Sequence, residues 1–386
     1  MLLDFVILVS LAALVYTFVG YPALMAGWAR LKPRPVRSAP ITPRVTLLIC
    51  AHNEEDVIER KLENSLRIDY PRELLEILVV DDGSTDRTAE IVRRFADRGV
   101  CLVTQSPRQG KSLAVNLGVS KASGELVVLS DASPDYVANA VRAAARHFAD
   151  PDVGVVSGRI RLQDSASAVE VPAGLYWKYQ EMLCVWESAT GTTVGVNGNL
   201  FAFRRERFTP LPADTINDEF TIAMKMATSG YRVLYDPEAV THDIVSSSMS
   251  DEVARRARIN AGRYQALLQT SFLSLAHPAL TFRLVSHKLS RPLAPLFMIA
   301  LLVATVVDWA GRGDDEIAGL LVAGQLLLYG MAWFGWVAER RRWPKLKIVS
   351  VPYFFVSGNV AALIGLYRYV TGRQSVTWQK RSVASA

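Results

Sequence analysis

Residues 45–86 read VTLLICAHNEEDVIERKLENSLRIDYPRELLEILVVDDGSTD, and this stretch decides the fold. Two apolar, strand-length runs, 45–50 and 75–80, each stop at a polar, turn-forming cluster, and a charged amphipathic segment, 54–66, lies between them. That pattern predicts a βαβ unit. In open α/β sheets ligands bind beyond the carboxyl ends of parallel strands. Asn53, Glu54 and the Asp81-Asp82-Gly83-Ser84 cluster are therefore expected around one pocket.

The alternation continues outward. A helix is expected over 87–98, entered through the capping residues Ser84-Thr85-Asp86, then a strand over 100–104. Gln109-Gly110-Lys111 opens a helix over 112–120, and Gly124 breaks the chain before a strand over 125–130 with Asp131 at its tip. A helix over 137–148 and a strand over 153–158 complete an α/β series of roughly 120 residues. Beyond it come an aromatic-rich amphipathic helix over 175–187, a glycine-dotted loop over 191–199, a strand over 200–204, a helical segment over 216–230 and a basic helix over 250–269.

Half of the 386 residues are hydrophobic, and the mean hydropathy is +0.18 although 21% of residues are charged. The apolar excess is concentrated: 5–29, 317–338 and 348–367 contain no Asp, Glu, Lys or Arg, and 292–307 is a shorter fourth run. A spanning helix needs about 20 such residues. The first run lacks a basic leader and meets Arg30, Lys32, Arg34 and Arg37 on its far side, so it reads as a retained anchor. The positive-inside bias then puts residues 40–285 in the cytosol, the acidic loop 313–316 outside and the basic loop 339–347 inside. If 348–367 also spans, the tail with Arg368, Arg373, Lys380 and Arg381 lands outside against that bias, a conflict relieved if one C-terminal segment is interfacial or re-entrant. The implied organisation is an anchor over 1–30, a cytosolic α/β domain over 40–285, membrane or interfacial helices over 290–370 and a basic tail over 371–386.

Cys50, Cys101 and Cys184 are scattered without CxxC spacing, which argues against a disulfide framework or zinc and for buried free thiols. The net charge of +6 largely flanks the apolar runs, pointing to membrane lipids as partners, and no nucleic-acid module is present.

Several polar residues have two readings each. Asp81 and Asp82 either accept from a nucleotide's ribose or base or serve as turn and cap. Asp131 is a second strand-tip carboxylate, and two such tips on neighbouring strands favour a binding role. Lys111 at a helix start could meet a diphosphate, although the spacing is not that of a Walker loop, or be a surface lysine. Asp218-Glu219 is the best candidate for a general base, against simple helix-dipole complementarity. Arg255 and Arg258, at i and i+3, could hold a diphosphate or, with Arg256 and Arg263, lipid phosphates. His242 is a metal ligand or a satisfied loop histidine.

The runs AHNEEDVIERKLENSL, LVVDDGSTDRTAEIV, RQGKSLAVNLG and GELVVLSDASPDY, followed by GVNGNLFAFRRERF, INDEFTIAMKMATSGYRVLYDPEAV and RRARINAGRYQAL, resemble a membrane-bound family-2 glycosyltransferase over about residues 44–270. The resemblance implies an α/β GT-A (Rossmann-like) domain with flanking transmembrane helices, and an inverting transfer from a nucleotide-diphosphate sugar. Uridine diphosphate is the expected nucleotide. It implies Asp82 as the uridine-binding aspartate, Lys111 as a donor contact, Asp131 as the first aspartate of an Asp-x-Asp metal motif and Glu219 as the base. Asn53, Glu54 and Arg258 join the donor site. The implied cofactor is Mg²⁺ or Mn²⁺.

Three departures bear on this. Ser133 replaces the second aspartate of the metal motif, leaving Asp131, with His242, to hold the ion. The base position reads Asp218-Glu219 rather than Glu-Asp, so Asp218 is the alternative base. The Gln-x-x-Arg-Trp motif of polymer synthases reads Arg255-Arg256-Ala257-Arg258-Ile259, with Arg258 alone surviving. Transfer to a lipid-linked or glycan acceptor at the cytosolic face of the inner (plasma) membrane follows, in surface polysaccharide synthesis with possible export partners. Tyr176, Trp177 and Trp186 are acceptor contacts or packing residues. The alternatives are a processive synthase subunit that needs partners and an inactive UDP-binding membrane scaffold.

Overall fold

The computed structural model describes residues 1–163, 170–244, 248–312, 316–341, 343 and 347–375. Strands β1 (Val45–Ala51), β2 (Leu75–Asp81), β3 (Val100–Thr104), β4 (Leu126–Ser130), β5 (Asp135–Tyr136), β6 (Val153–Gln163), β7 (Phe201–Arg204) and β8 (Arg232–Ile244) form one sheet in the order β3-β2-β1-β4-β7-β6-β8-β5. The first four strands are parallel, with Val45 opposite both Leu75 and Leu126 and Ile77 opposite Val100. Every residue of β1 is buried, which explains why it reads as an uninterrupted apolar run.

The sheet is mixed. β7 runs antiparallel to β4 and β6, and β5 antiparallel to β8. The two strands absent from the sequence reading are β5, only two residues long, and β8, whose Asp236-Pro237 reads as a break. The structure absorbs that dipeptide in a bulge, the ladder stepping from Gly158–Asp236 to Arg159–Val240.

Helices α1 (Leu2–Val15) and α2 (Tyr21–Leu31) are joined by the π-helical segment Tyr16–Gly20. Around the sheet lie α3 (Ile58–Leu66), α4 (Thr88–Arg93), α5 (Lys111–Lys121), α6 (Ala140–Ala145), α7 (Glu170–Ala189), α8 (Asp218–Thr228) and α9 (Met249–Leu268). The chain continues through α10 (Pro278–Arg283), the π-helical segment Leu284–Leu289, α11 (Ser290–Arg312), α12 (Glu316–Arg340) and α13 (Lys347–Val370). Helix α3 starts later than its sequence pattern because the Glu54 and Glu55 amides donate to Thr88 Oγ1 and Asp86 Oδ2 instead. The helix expected over 87–98 divides into α4 and a 3₁₀ turn, Ala96–Arg98, and that over 137–148 into α6 and a 3₁₀ turn, Arg146–Ala149.

Alternation along the strands sends Leu47 and Ile49 to one core, with Leu62 and Phe148, and Leu48 and Cys50 to the other, with Phe203 and Met224. Cys184 is buried too, but Cys101 is exposed on the edge strand β3, correcting the reading of all three thiols as buried.

Among the described residues, four helical runs are long and apolar enough to cross a membrane: Leu2–Leu31, Pro278–Gly311, Glu316–Arg340 and Ile348–Val370. The shortest, 23 residues, reaches about 34 Å against a hydrocarbon core of about 30 Å. The run around 292–307 begins earlier than its apolar stretch because Arg283, His287 and Lys288 are buried against protein. It passes through the expected domain boundary at 285–290 without a break. Helix α13 packs on α9 and α11 on α1. Of the loops and tail that the charge argument used, residues 313–315, 342, 344–346 and 376–386 lie outside the described residues.

Candidate active site

Lys111 opens α5, and its Nζ is shared by three carboxylates: Glu219 Oε1 at 2.7 Å, Asp131 Oδ1 at 2.8 Å and Asp218 Oδ2 at 3.2 Å. Asp131 directly follows β4, and Asp218 and Glu219 lie in the first turn of α8. Burial works against the ammonium, but the three acids outweigh it and hold Lys111 protonated well above the ordinary lysine value. Burial, then the neighbouring Asp218, raises Glu219 to about 7, with Lys111 opposing. A carboxyl poised there is matched to proton transfer near neutrality.

Asp82 is fully buried, and both of its oxygens are engaged. It accepts from Gln105 Nε2 at 2.8 Å and from the backbone amides of Gln109 at 2.8 Å and Gly110 at 2.9 Å. The carboxylate thus shapes the 105–110 loop that delivers Lys111. Gly110 has φ +97°, a conformation that favours glycine, and it turns the chain into α5 there. Asp81 Oδ1 accepts from the Ser84 amide at 3.2 Å, so the turn reading of Asp81 is part of the structure.

Asn53, at φ 56°, joins the two loops beyond β1 and β2. Its amide donates to Ser84 Oγ at 2.9 Å, and its Oδ1 accepts from the Thr85 amide at 2.8 Å. Glu54 is fastened through its backbone to Thr88.

The loop after β4 is clamped from α3. Arg60 donates to the Ser133 carbonyl at 2.8 Å, and the buried Lys61 donates to the Pro134 carbonyl at 2.7 Å. Burial lowers Lys61 to about 7 against the pull of Asp135 and Asp131. His242 stands in register with Asp135 of β5 and Arg161 of β6, and no hydrogen bond or ion pair among the described residues joins it to Asp131. His242 thus lies on β8 between β5 and β6, one strand in from the sheet edge. No three His, Cys, Asp or Glu side chains among the described residues form a metal site by themselves.

The donor set still fits a cation of the Mg²⁺ or Mn²⁺ type. Asp131 is 43% exposed at its side chain, Asp218 Oδ2 is buried with only its 3.2 Å ion-pair contact to Lys111, and three acids face one ammonium. Such ions are commonly held by one or two carboxylates with the substrate's phosphates completing the shell.

The sequence reading missed the roof over Glu219. The Asn197 amide donates to Ser157 Oγ, Asn199 Nδ2 donates to Asp243 Oδ2 at 3.0 Å, and the Asn199 carbonyl accepts from Tyr136. Between them, Gly198 lies so close to Glu219 that a Cβ there would collide with the carboxylate. The density of Gly and Asn in GVNGN is the one signal that could have pointed to it.

Residues 46–208 match the family model described as Glycosyl transferase family 2, and residues 129–337, more than half of the chain, match that described as Glycosyl transferase family group 2. The chain belongs to glycosyltransferase family 2. Mannosyltransferase PcManGT from Pyrobaculum calidifontis, solved in complex with GDP-Man and Mn²⁺, superposes with a TM-score of 0.73 at 28% identity, covering 94% of this chain and 99% of that one. The fold is GT-A. Poly-beta-1,6-N-acetyl-D-glucosamine synthase of Staphylococcus aureus is 26% identical over 239 residues, 60% of this chain and 57% of the synthase. Probable glycosyltransferase YdaM of Bacillus subtilis is 28% identical over 214 residues, 52% of this chain and 50% of YdaM. This glycosyltransferase thus spans about half the length of those curated relatives.

In this family-2 glycosyltransferase α9 braces the start of α8. Asn217 Nδ2 donates to the Ile259 carbonyl at 2.9 Å, and Arg258 donates to the Ile216 carbonyl at 3.3 Å, so both tie α9 to the start of α8. Arg255 and Arg256 pair with Glu252, and Arg256 also lies over the rings of Tyr176 and Phe354 at 4.5 and 4.3 Å. Trp177 packs on Tyr176, and Trp186 sits beside Tyr21 and Leu183, so these aromatics are packing residues.

A second buried hub was not legible. Glu187 accepts from Tyr21 at 2.6 Å, Thr193 at 2.8 Å and the Val194 amide at 3.0 Å, and pairs with His287 Nδ1 at 2.6 Å. Burial opposes its charge, but these partners hold Glu187 below the ordinary carboxylate range.

Proposed function

We propose that this glycosyltransferase is a multi-pass enzyme of the inner (plasma) membrane. It transfers one sugar, with inversion, from a nucleotide-diphosphate sugar to a hydroxyl of a lipid-linked or glycan acceptor at the cytosolic face. The observation that carries the reading is the convergence of Asp131, Asp218 and Glu219 on Lys111 Nζ beside a carboxyl tuned to about 7. Glu219 takes the proton of the acceptor hydroxyl at its carboxylate oxygen while the acceptor's own oxygen attacks C1 of the sugar and the bond from C1 to the nucleotide diphosphate breaks. Asp218, sharing the same lysine, is the alternative base. Lys111 leaves the acids for the donor's phosphates, which frees Glu219 at the moment the donor is bound. Asp82 acts through the loop it holds, and Asn53 with Glu54 frames the other side of the nucleotide pocket. Arg258 supports the donor site by fixing the approach to α8. A divalent cation held by Asp131 and the donor phosphates would supply positive charge against the departing nucleotide diphosphate.

Uridine was the nucleotide read from the sequence, whereas PcManGT carries GDP-Man. The test is therefore nucleotide release by the purified full-length protein with UDP- and GDP-sugars, with Mg²⁺, Mn²⁺ or chelator. Release that favours one sugar and stops in chelator supports the reading. Binding of nucleotide with no release under any condition, acceptor extracts included, would overturn it. A processive reading draws on the polymer synthase among the relatives. Product length separates the two, since single transfer gives one added residue per acceptor.

A further inference from the structure

Three cations between α7, α9 and the start of α11 lack an acidic partner. Lys288 is 6% exposed, with no hydrogen bond or ion pair among the described residues, and its Nζ lies 5.9 Å from the centre of the Phe220 ring. Arg291, one helical turn on, gives one donor to Gln180 Oε1 at 2.7 Å, while its Nε and Nη2 are buried without partners. Arg263 of α9 donates to the neutral Asn260 at 3.0 Å and makes no ion pair among the described residues. The carboxylate in their field, Glu187, is already engaged by Tyr21, His287, Thr193 and Val194.

Burying unpaired cations is strongly unfavourable unless a counter-charge arrives. The local field is positive enough that Tyr176, whose phenol burial alone would push up, is instead drawn below its ordinary value by Arg256, Arg263 and Arg291. Lys288 and Arg291 belong to the run Pro278–Gly311, one of the four described runs long and apolar enough to cross a membrane. Phe220, over whose ring Lys288 lies, belongs to the same first turn of α8 as Glu219.

We propose that Lys288, Arg291 and Arg263 bind the phosphate of a membrane-borne, lipid-linked acceptor and so present its reacting end to Glu219. This rests on the transferase reading above and names the acceptor class. The donor's diphosphate carries the same chemistry, and the experiment separates the two sources.

Full-length protein in phosphatidylcholine nanodiscs is titrated with a polyprenyl phosphate, with the matching polyprenol, with phosphatidylglycerol, and with UDP and GDP. The wild type is expected to bind the polyprenyl phosphate and neither the alcohol nor phosphatidylglycerol to a comparable degree. Lys288→Met and Arg291→Gln each weaken that binding about tenfold or more, Lys288→Arg keeps it within about twofold, and nucleotide affinity holds in all three. Thermal stability holds or rises in Lys288→Met, since an unpaired buried charge is removed. Equal binding of the polyprenol or of phosphatidylglycerol, no effect of the neutral variants, or a loss of nucleotide affinity in place of lipid affinity would each overturn the proposal. Donor hydrolysis on the same sample separates the two readings. Hydrolysis without polyprenyl phosphate binding removes this site alone, and binding without nucleotide release removes the transferase reading alone.

Discussion

Lys111 Nζ donates to Glu219 Oε1 at 2.7 Å, so the candidate base is capped by an ammonium until the lysine is drawn elsewhere. Replacing Glu219 by Gln keeps the shape and removes the proton acceptor. Transfer should fall by about 10²- to 10⁴-fold while nucleotide affinity changes little. Persisting transfer in Glu219→Gln, with loss in Asp218→Asn, reassigns the base to Asp218.

The raised Glu219 also sets a pH signature. With its folded value about 7 against an ordinary 4.5, the ionised base appears as pH rises through 7, so the transfer rate should climb with a midpoint near there. Stability runs the other way. Between those two values the folded state holds the proton more tightly, so stability from this group is full below 4.5 and falls as pH rises through about 7. Glu219→Gln should therefore melt higher than wild type above neutrality and about equal to it near pH 4, as thermal scans at the two pH values would reveal.

Gly198 leaves no room for a side chain over the Glu219 carboxylate. Gly198→Ala should push the base out of line, lowering kcat by about 10²-fold, the scale of an ångström-sized misplacement. Nucleotide affinity, measured by calorimetry, should stay near wild type, and an unchanged kcat would show that Glu219 has slack.

Asp82→Ala strands the amides of Gln109 and Gly110 and the side chain of Gln105. Each unsatisfied buried donor costs about 1–3 kcal/mol, so the melting temperature should drop and nucleotide affinity should fall with the loop. A variant that keeps full nucleotide affinity would show that the loop does not touch the donor.

Asp131→Asn tests the cation. It should raise the Mn²⁺ concentration needed for nucleotide release, and excess chelator should silence the wild type. Full release in chelator would leave Lys111 as the sole charge facing the phosphates.

Much of this was legible because strands buried on both faces leave long apolar runs. Val45, Leu75, Val100 and the strand ending at Ser130 were placed within a residue, and Lys111, Asp131, Asp218 and Glu219, far apart in sequence, were each singled out before the fold joined them. What failed to show depends on partners distant along the chain. Lys61 looks like a solvated helix residue until the Pro134 carbonyl covers it. The charges of Arg283, His287 and Lys288 hid the start of a long helix because their burial is a tertiary fact. Asp82 is singled out for a nucleotide contact, and its oxygens also hold the loop that delivers Lys111, a role its neighbours in sequence do not show.

Glu187 gathers Tyr21 from the first membrane-length run, His287 from the second and Thr193 and Val194 from the loop that leads to Gly198. The transferase is accordingly not cargo riding on an interchangeable anchor. Grafting residues 40–285 onto a foreign signal-anchor, or trimming them free for soluble expression, would tear two partners from one buried carboxylate ten residues upstream of Asn197, where the roof over the base begins.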